Sequence, residues 1–160
     1  MILEQLQQLH PDATLETWRQ HPNGKGWVQN TAWVSGDARV SGDARVFGTA
    51  RVFGTAGVYG DARVYGDARV SGDAHVSGNA WVYGDAQVFG DAWEASPLYI
   101  QGTKHSLTNC KKGFIQIGCY CFEVAYWQEH YKAIGRKEDY SLKQIEEYKA
   151  YIDLFALIGQ

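Results

Sequence analysis

From Val28 to Trp93 the chain repeats with a period of six residues and no insertion, in 11 consecutive hexads of the form V-x-G-D-A-x. Valine opens each hexad (28, 34, 40, 46, 52, 58, 64, 70, 76, 82, 88), the third residue is usually glycine, the fourth is Asp, Thr or Asn, and the fifth is always alanine. Apolar residues therefore fall alternately two and four apart, as in Ala38, Val40, Ala44 and Val46. The three-to-four spacing of an amphipathic helix does not produce this. In DARVSG the order is Ala in, Arg out, Val in, Ser out, then a Gly-Asp bend. Glycine tolerates positive φ at the bend, and an Asp or Asn side chain bonds nearby backbone groups there. Each hexad thus reads as one short strand and one corner. Three sides make an 18-residue triangular coil, and the run amounts to about 3.7 coils, a prism on the order of 17 Å tall at about 4.8 Å per stacked strand.

This run resembles the hexapeptide-repeat left-handed parallel β-helix of the trimeric LpxA-like superfamily. The resemblance covers 66 of the 160 residues and implies a mainly β fold, an exception to right-handed crossovers, and assembly as a homotrimer. It leaves function open, because the superfamily contains acyltransferases, carbonic anhydrases and structural members.

Three segments follow: an N-terminal cap (1–26), the β-helix (27–93) and a C-terminal α+β module (94–160). In the cap, Ile2, Leu3, Leu6 and Leu9 stand at helical spacing, and Thr14 is placed to start a short helix in TLETWRQ. A cap is expected because an open coil end exposes unpaired strand backbone. In the C-terminal module LYIQG and GFIQIGCYCF read as strands and EVAYWQEHYKAIG as a helix ended by Gly135. A second helix opens on a capping box, Ser141 with Gln144. The expected core is Phe114, Ile115, Ile117, Trp127, Tyr131, Ile134, Ile145, Tyr148, Ile152 and Leu154. The whole organisation also resembles hexapeptide-repeat proteins of bacteriophages and prophages, through NG-x-GWV-x-x-TA (Asn23 to Ala32), KHS-x-T (Lys104 to Thr108), I-x-IGC (Ile115 to Cys119) and the run from Trp127 through Ile152. This resemblance implies a phage origin.

A net charge of −3 gives no general attraction to long nucleic acid or to anionic membranes. Glu4 stands where a secretory signal would carry a cation, and no apolar run approaches the roughly 20 residues that span a bilayer. A cytoplasmic protein is expected, in a bacterial host if phage-encoded. Cys110, Cys119 and Cys121 are odd in number and gathered in one segment, unlike a disulfide framework.

Among candidates for chemistry, His75 alone in the coils matches the general base that the resemblance to acyltransferases implies. Those enzymes carry a loop protruding from the coils, and this repeat has none. The same slot elsewhere holds Arg, Trp, Gln or Gly. A carbonic-anhydrase-like zinc site needs three histidines, and the repeats hold one. His105, Cys110, Cys119, Cys121 and His130 lack the C-x₂₋₄-C spacing of structural zinc, so Cys119 and Cys121 read as core or edge residues of one strand face. The corner residues Asp37, Asp43, Asp61, Asp67, Asp73, Asp85 and Asp91 read as turn formers diluted by Thr55 and Asn79 and compensated by arginines, in preference to calcium ligands. No metal and no cofactor are expected.

The residues that vary carry the information about function. Unrolled at 18 residues, one face aligns Trp27, Arg45, Arg63 and Trp81 beside Gln29, Phe47, Tyr65 and Tyr83. A second aligns Trp33, Arg51, Arg69 and Gln87 beside Ser35, Phe53, Ser71 and Phe89. The third aligns Arg39, Gly57, His75 and Trp93 beside Ser41, Tyr59 and Ser77. The first face is expected to be an exposed ladder of aromatics beside arginines, serving as a trimer interface or as a ligand site. Arg45, Phe47, Arg63, Tyr65, Trp81 and Tyr83 are the candidate ligand-binding residues, since guanidinium holds phosphate and rings stack a base. The expected function is non-enzymatic: a homotrimer that captures a nucleotide-like immune signal or a host defence protein. An acyl-CoA-dependent acyltransferase using His75 and a purely structural β-helix stand as alternatives.

Overall fold

Each hexad forms one strand of two or three residues, because only the Ala-x-Val portion is extended before the next Gly-Asp corner. In chain order the first unit comprises α1 (Leu3–Leu9), β1 (Trp18–Gln20), β2 (Trp27–Gln29), β3 (Trp33–Val34), β4 (Arg39–Val40), β5 (Arg45–Val46), β6 (Arg51–Val52), β7 (Gly57–Val58), β8 (Arg63–Val64), β9 (Arg69–Ser71), β10 (His75–Val76), β11 (Trp81–Val82), β12 (Gln87–Phe89) and β13 (Ala92–Trp93). The computed structural model describes residues 1–158, and the chain divides into two units, Met1–Ser96 and Pro97–Gln160. Every third strand shares a sheet: β2-β5-β8-β11, β3-β6-β9-β12 and β4-β7-β10-β13. Valine meets valine and arginine meets arginine in parallel register, as in Arg45↔Arg63 and Val46↔Val64. The result is a mainly β, parallel β-solenoid of about four turns.

Alanines and valines from Ala38 to Val88 are completely buried along its axis. Each such valine contributes on the order of 1.5–3 kcal/mol of burial. At the corners, Gly36 has φ +70°, and a Cβ there would stand 3.0 Å from the Gly54 carbonyl oxygen of the next coil, so conformation and stacking both require glycine. Thr49 relieves the acidic column by donating its hydroxyl to Asp67 Oδ1 at 2.6 Å, and Thr55 donates to the Gly72 carbonyl at 3.0 Å.

Both ends of the coil depart from the sequence expectation. Thr14 forms a turn, not a helix: its hydroxyl accepts from the Glu16 and Thr17 amides, and the chain then enters β1, antiparallel to β2. A strand there satisfies the backbone edge that the first coil would otherwise leave open. At the other end the repeat slips by one residue. Asp91 takes φ +57°, the His75 amide bonds the Asp91 carbonyl, and the register becomes His75↔Ala92 and Val76↔Trp93. Trp93 therefore does not continue the outward column of Arg39, Gly57 and His75. It occupies the valine position, 3% exposed, because a large apolar side chain gains more as a plug over the last coil than in water.

The second unit is a four-stranded antiparallel sheet followed by two helices: β14 (Tyr99–Gln101), β15 (Ser106–Lys111), β16 (Phe114–Ile117), β17 (Tyr120–Glu123), α2 (Val124–Lys137) and α3 (Leu142–Ile158). A turn at Gly118 and Cys119 splits the expected strand GFIQIGCYCF into two. Gly135 does not end α2, which continues to Lys137. Gly135 is buried where a Cβ would come 2.9 Å from Ile145 Cγ1, so it permits the close approach of α3. The capping box of α3 is formed, with Ser141 N donating to Gln144 Oε1 at 2.9 Å and Gln144 N to Ser141 Oγ at 3.2 Å. The core holds Leu107, Ile115, Ile117, Trp127, Tyr148, Ile152 and Phe155. Leu154 is exposed, since the helical spacing 145, 148, 152 selects 155 as the next inward position. The expected module's last two residues, Gly159 and Gln160, lie outside the described residues. Among the described residues no helix is long and apolar enough to cross a membrane.

Candidate functional site

The strands β2, β5, β8 and β11 bring Trp27, Arg45, Arg63 and Trp81 into one outward column by parallel register. Beside it the rings of Phe47 and Tyr65 stack with centroids 4.9 Å apart and planes 2° apart, and Tyr65 stacks on Tyr83 at 5.7 Å and 17°. This spacing follows the distance between stacked strands, so the coil itself builds the ladder. Arg63 lies over Trp81, its Cζ 4.6 Å from the ring centroid, a cation–π contact.

The ladder is not exposed along its whole length, as the sequence suggested. The N-terminal segment folds back over its first rungs: Leu6, Ala13, Trp18 and Trp27 form one apolar cluster, against which Met1, Leu3 and Phe47 pack. The Trp27 indole N–H donates to the Met1 carbonyl at 3.1 Å. Trp27 and Arg45 are consequently 3% and 4% exposed, whereas Trp81 and Tyr83 are 41% and 37% exposed. Phe47, Arg63 and Tyr65 are half-buried. The outward alternation of a strand decides only which way a side chain points, and here another part of the chain covers it.

Burial leaves Arg45 in an unusual state. Among the described residues its Nε and that of Arg63 are buried without a hydrogen-bond partner. Among the described residues no carboxylate lies within ion-pair distance of either guanidinium. Burial, then the positive charge of Arg63, holds the Arg45 pKa below its ordinary value despite the opposing pull of Asp61 and Asp43. A buried charge is ordinarily paired, because unpaired it forfeits several kcal/mol of hydration.

A cleft of about 330 Å³ is walled by His10, Trp18 and Phe47, with Thr17, Gln29 and Asp12 at its polar margin; neither arginine lines it, and His10 is the wall residue that feels the charge of both. The His10 ring is 4.8 Å from Trp18 and 4.9 Å from Phe47, the latter edge-on. Burial, then Arg45 and Arg63, pushes the His10 pKa down. His10 and the cleft had no signal in the repeat; helical spacing put only their neighbour Leu9 into the cap.

The remaining candidates are dispersed. His75 is exposed and leans on Tyr59, centroids 5.6 Å apart, and among the described residues no hydrogen bond orients its imidazole, which a general base ordinarily requires. Tyr59 itself lies back over Gly57, where a Cβ would come 2.1 Å from its hydroxyl. On the second face Trp33 and Phe53 are 61% and 41% exposed. Among the described residues no three His, Cys, Asp or Glu side chains converge as a metal site. His105 and His130 lie apart, the first beside Tyr140 and the second stacked on Tyr126. Cys110 and Cys121, however, meet with their sulfurs 2.9 Å apart, a pairing their spacing did not reveal.

A family model described as YdcK Beta solenoid repeat matches the coils at residues 32–48, 38–54, 56–72, 62–78 and 68–84. The match agrees with the observed solenoid and says nothing of a ligand or an activity. No curated protein and no solved structure matches the chain significantly.

Proposed function

We propose that the protein is a non-enzymatic binding module that captures an anionic ligand bearing a planar ring, of the nucleotide class, at the Arg45–Arg63 pair and the adjoining aromatic cleft. The observation that carries this reading is Arg45, 4% exposed beside a second arginine and, among the described residues, without an ion pair. A phosphate supplies two or three acceptor oxygens for such a pair. His10, Trp18 and Phe47 offer flat apolar walls for a base, and Arg63, Tyr65, Trp81 and Tyr83 continue the same surface to the exposed end of the column. The lower rungs, Arg45 and Phe47, then act from beneath the N-terminal segment.

In this reading the protein is a homotrimer of the hexapeptide-repeat kind, associating through the second face, where Trp33 and Phe53 are exposed. The resemblance to phage proteins supports a phage-encoded sponge for an immune signal, acting in the bacterial cytoplasm.

Calorimetric titration with cyclic dinucleotides, ADP-ribose and acetyl-CoA, alongside light scattering for the oligomer, tests it. Binding of a nucleotide is expected, weakened about tenfold or more by Arg63→Ala, the worth of one charge-assisted hydrogen bond. Binding of acetyl-CoA alone, or binding unaffected by Arg63→Ala and Arg45→Met, would overturn it. A host protein captured through the same arginines is the outcome if those substitutions abolish a protein complex while every nucleotide fails.

A further inference from the structure

Cys110 and Cys121 belong to strands that are not neighbours, since β16 lies between β15 and β17. Cys110 falls where the pairing of β15 with β16 shifts between Asn109 and Lys111, and Cys121 pairs with Gln116. The bulge re-aims the Cys110 side chain, and the two sulfurs stand 2.9 Å apart although both cysteines are free. Cys110 is wholly buried, Cys121 is partly exposed, and Cys119, in the turn between β16 and β17, is exposed.

We infer that Cys110 and Cys121 are a reversible modification site, a dithiol that low-molecular-weight disulfides such as oxidised glutathione convert to an intramolecular disulfide tying β15 to β17. The Cys121 thiolate, the accessible partner, attacks one sulfur of oxidised glutathione. That S–S bond breaks, and one glutathione leaves as the thiolate with the bonding electron pair. The Cys110 thiolate then attacks Cys121 Sγ and expels the second glutathione. The two protons of the cysteines end on the two glutathiones. The protein is oxidised by two electrons and the glutathione disulfide reduced by two. Burial, then the hydrogen bond with Cys121, pushes the Cys110 thiol far above a cysteine's ordinary range, which assigns the first attack to Cys121 and the resolving step to Cys110.

Cys119 is the internal control, being exposed and only two residues from Cys121. The full chain is incubated with oxidised glutathione, then read by intact mass, maleimide labelling of free thiols and mapping of linked peptides. A loss of about 2 Da, a fall from three labelled cysteines to one, and a Cys110–Cys121 linked peptide, all reversed by dithiothreitol, are expected. Cys119→Ser should keep the loss of mass, and Cys121→Ser should abolish it. A Cys119–Cys121 link, a stable glutathione adduct of about 305 Da as the end product, or three thiols still labelled would each overturn the assignment.

Discussion

Arg45 and Arg63 are register partners on adjacent strands of one sheet, two guanidinium groups on successive rungs with the lower one sealed under the N-terminal segment. If Arg45 is kept for a ligand and not for the fold, removing its charge should strengthen the ligand-free protein. Arg45→Met is expected to raise unfolding stability by about 1–3 kcal/mol and to eliminate stabilisation by added phosphate or pyrophosphate. The exposed Arg39→Met, on the third face, serves as control and should stay within about 0.5 kcal/mol. Thermal unfolding with and without the anion decides; a destabilised Arg45→Met variant counts against the binding role.

Tyr65 sits in the middle of the stack, touching Phe47 below and Tyr83 above. Tyr65→Ala breaks both contacts and should cost about 1–3 kcal/mol beyond the lost area, at about 0.5–1.5 per aromatic pair. Tyr65→Phe retains both rings in contact and should be nearly neutral in urea unfolding. Equal costs for the two variants would mean that the hydroxyl, not the stack, matters.

Trp93 is the plug of the last coil, and its indole N–H is buried without a hydrogen-bond partner among the described residues. Trp93→Ala should destabilise the solenoid by about 3–5 kcal/mol, whereas a tryptophan on the outward column would be replaced at little cost. Urea unfolding followed by far-ultraviolet circular dichroism separates the two placements.

His10 titrates below its ordinary value of 6.5, through burial first and then through Arg45 and Arg63. Protonation therefore favours the unfolded chain, in which the ring is hydrated. The stability due to neutral His10 is fully present above pH 6.5 and is lost as pH falls from there towards the folded-state value. The urea midpoint should decline over that window, and His10→Phe should remove that part of the decline. Saturating phosphate should reduce it as well, because a bound anion offsets the two arginines that oppose the imidazolium. A slope identical in wild type and His10→Phe would show that other groups set it.

The columns of the first face were legible in the sequence because an 18-residue coil is three hexads, and parallel register follows from the repeat alone. Arg45 with Arg63 and Phe47 with Tyr65 fall opposite each other for that reason. Their exposure was not legible. Residues 1–18 carry too short an apolar pattern to say which face of the coil they cover, and the burial of Arg45 arises there. Thr14 suits a helix start and a turn equally, so the local sequence does not choose between them. The dithiol was hidden because Cys110 and Cys121 meet only through a bulge in β15, a feature without a local signature.

The sequence by itself determined the solenoid, its three faces, its glycine corners and the capped last helix, since each depends on residues within one or two turns of one another. The tertiary structure alone decided that the N-terminal segment closes over Trp27 and Arg45, that the repeat slips at Asp91 to bury Trp93, and that two distant thiols touch. Those outcomes depend on which long-range contact removes the most apolar surface and leaves the fewest open backbone groups. A periodic pattern, identical in every coil, does not contain that comparison.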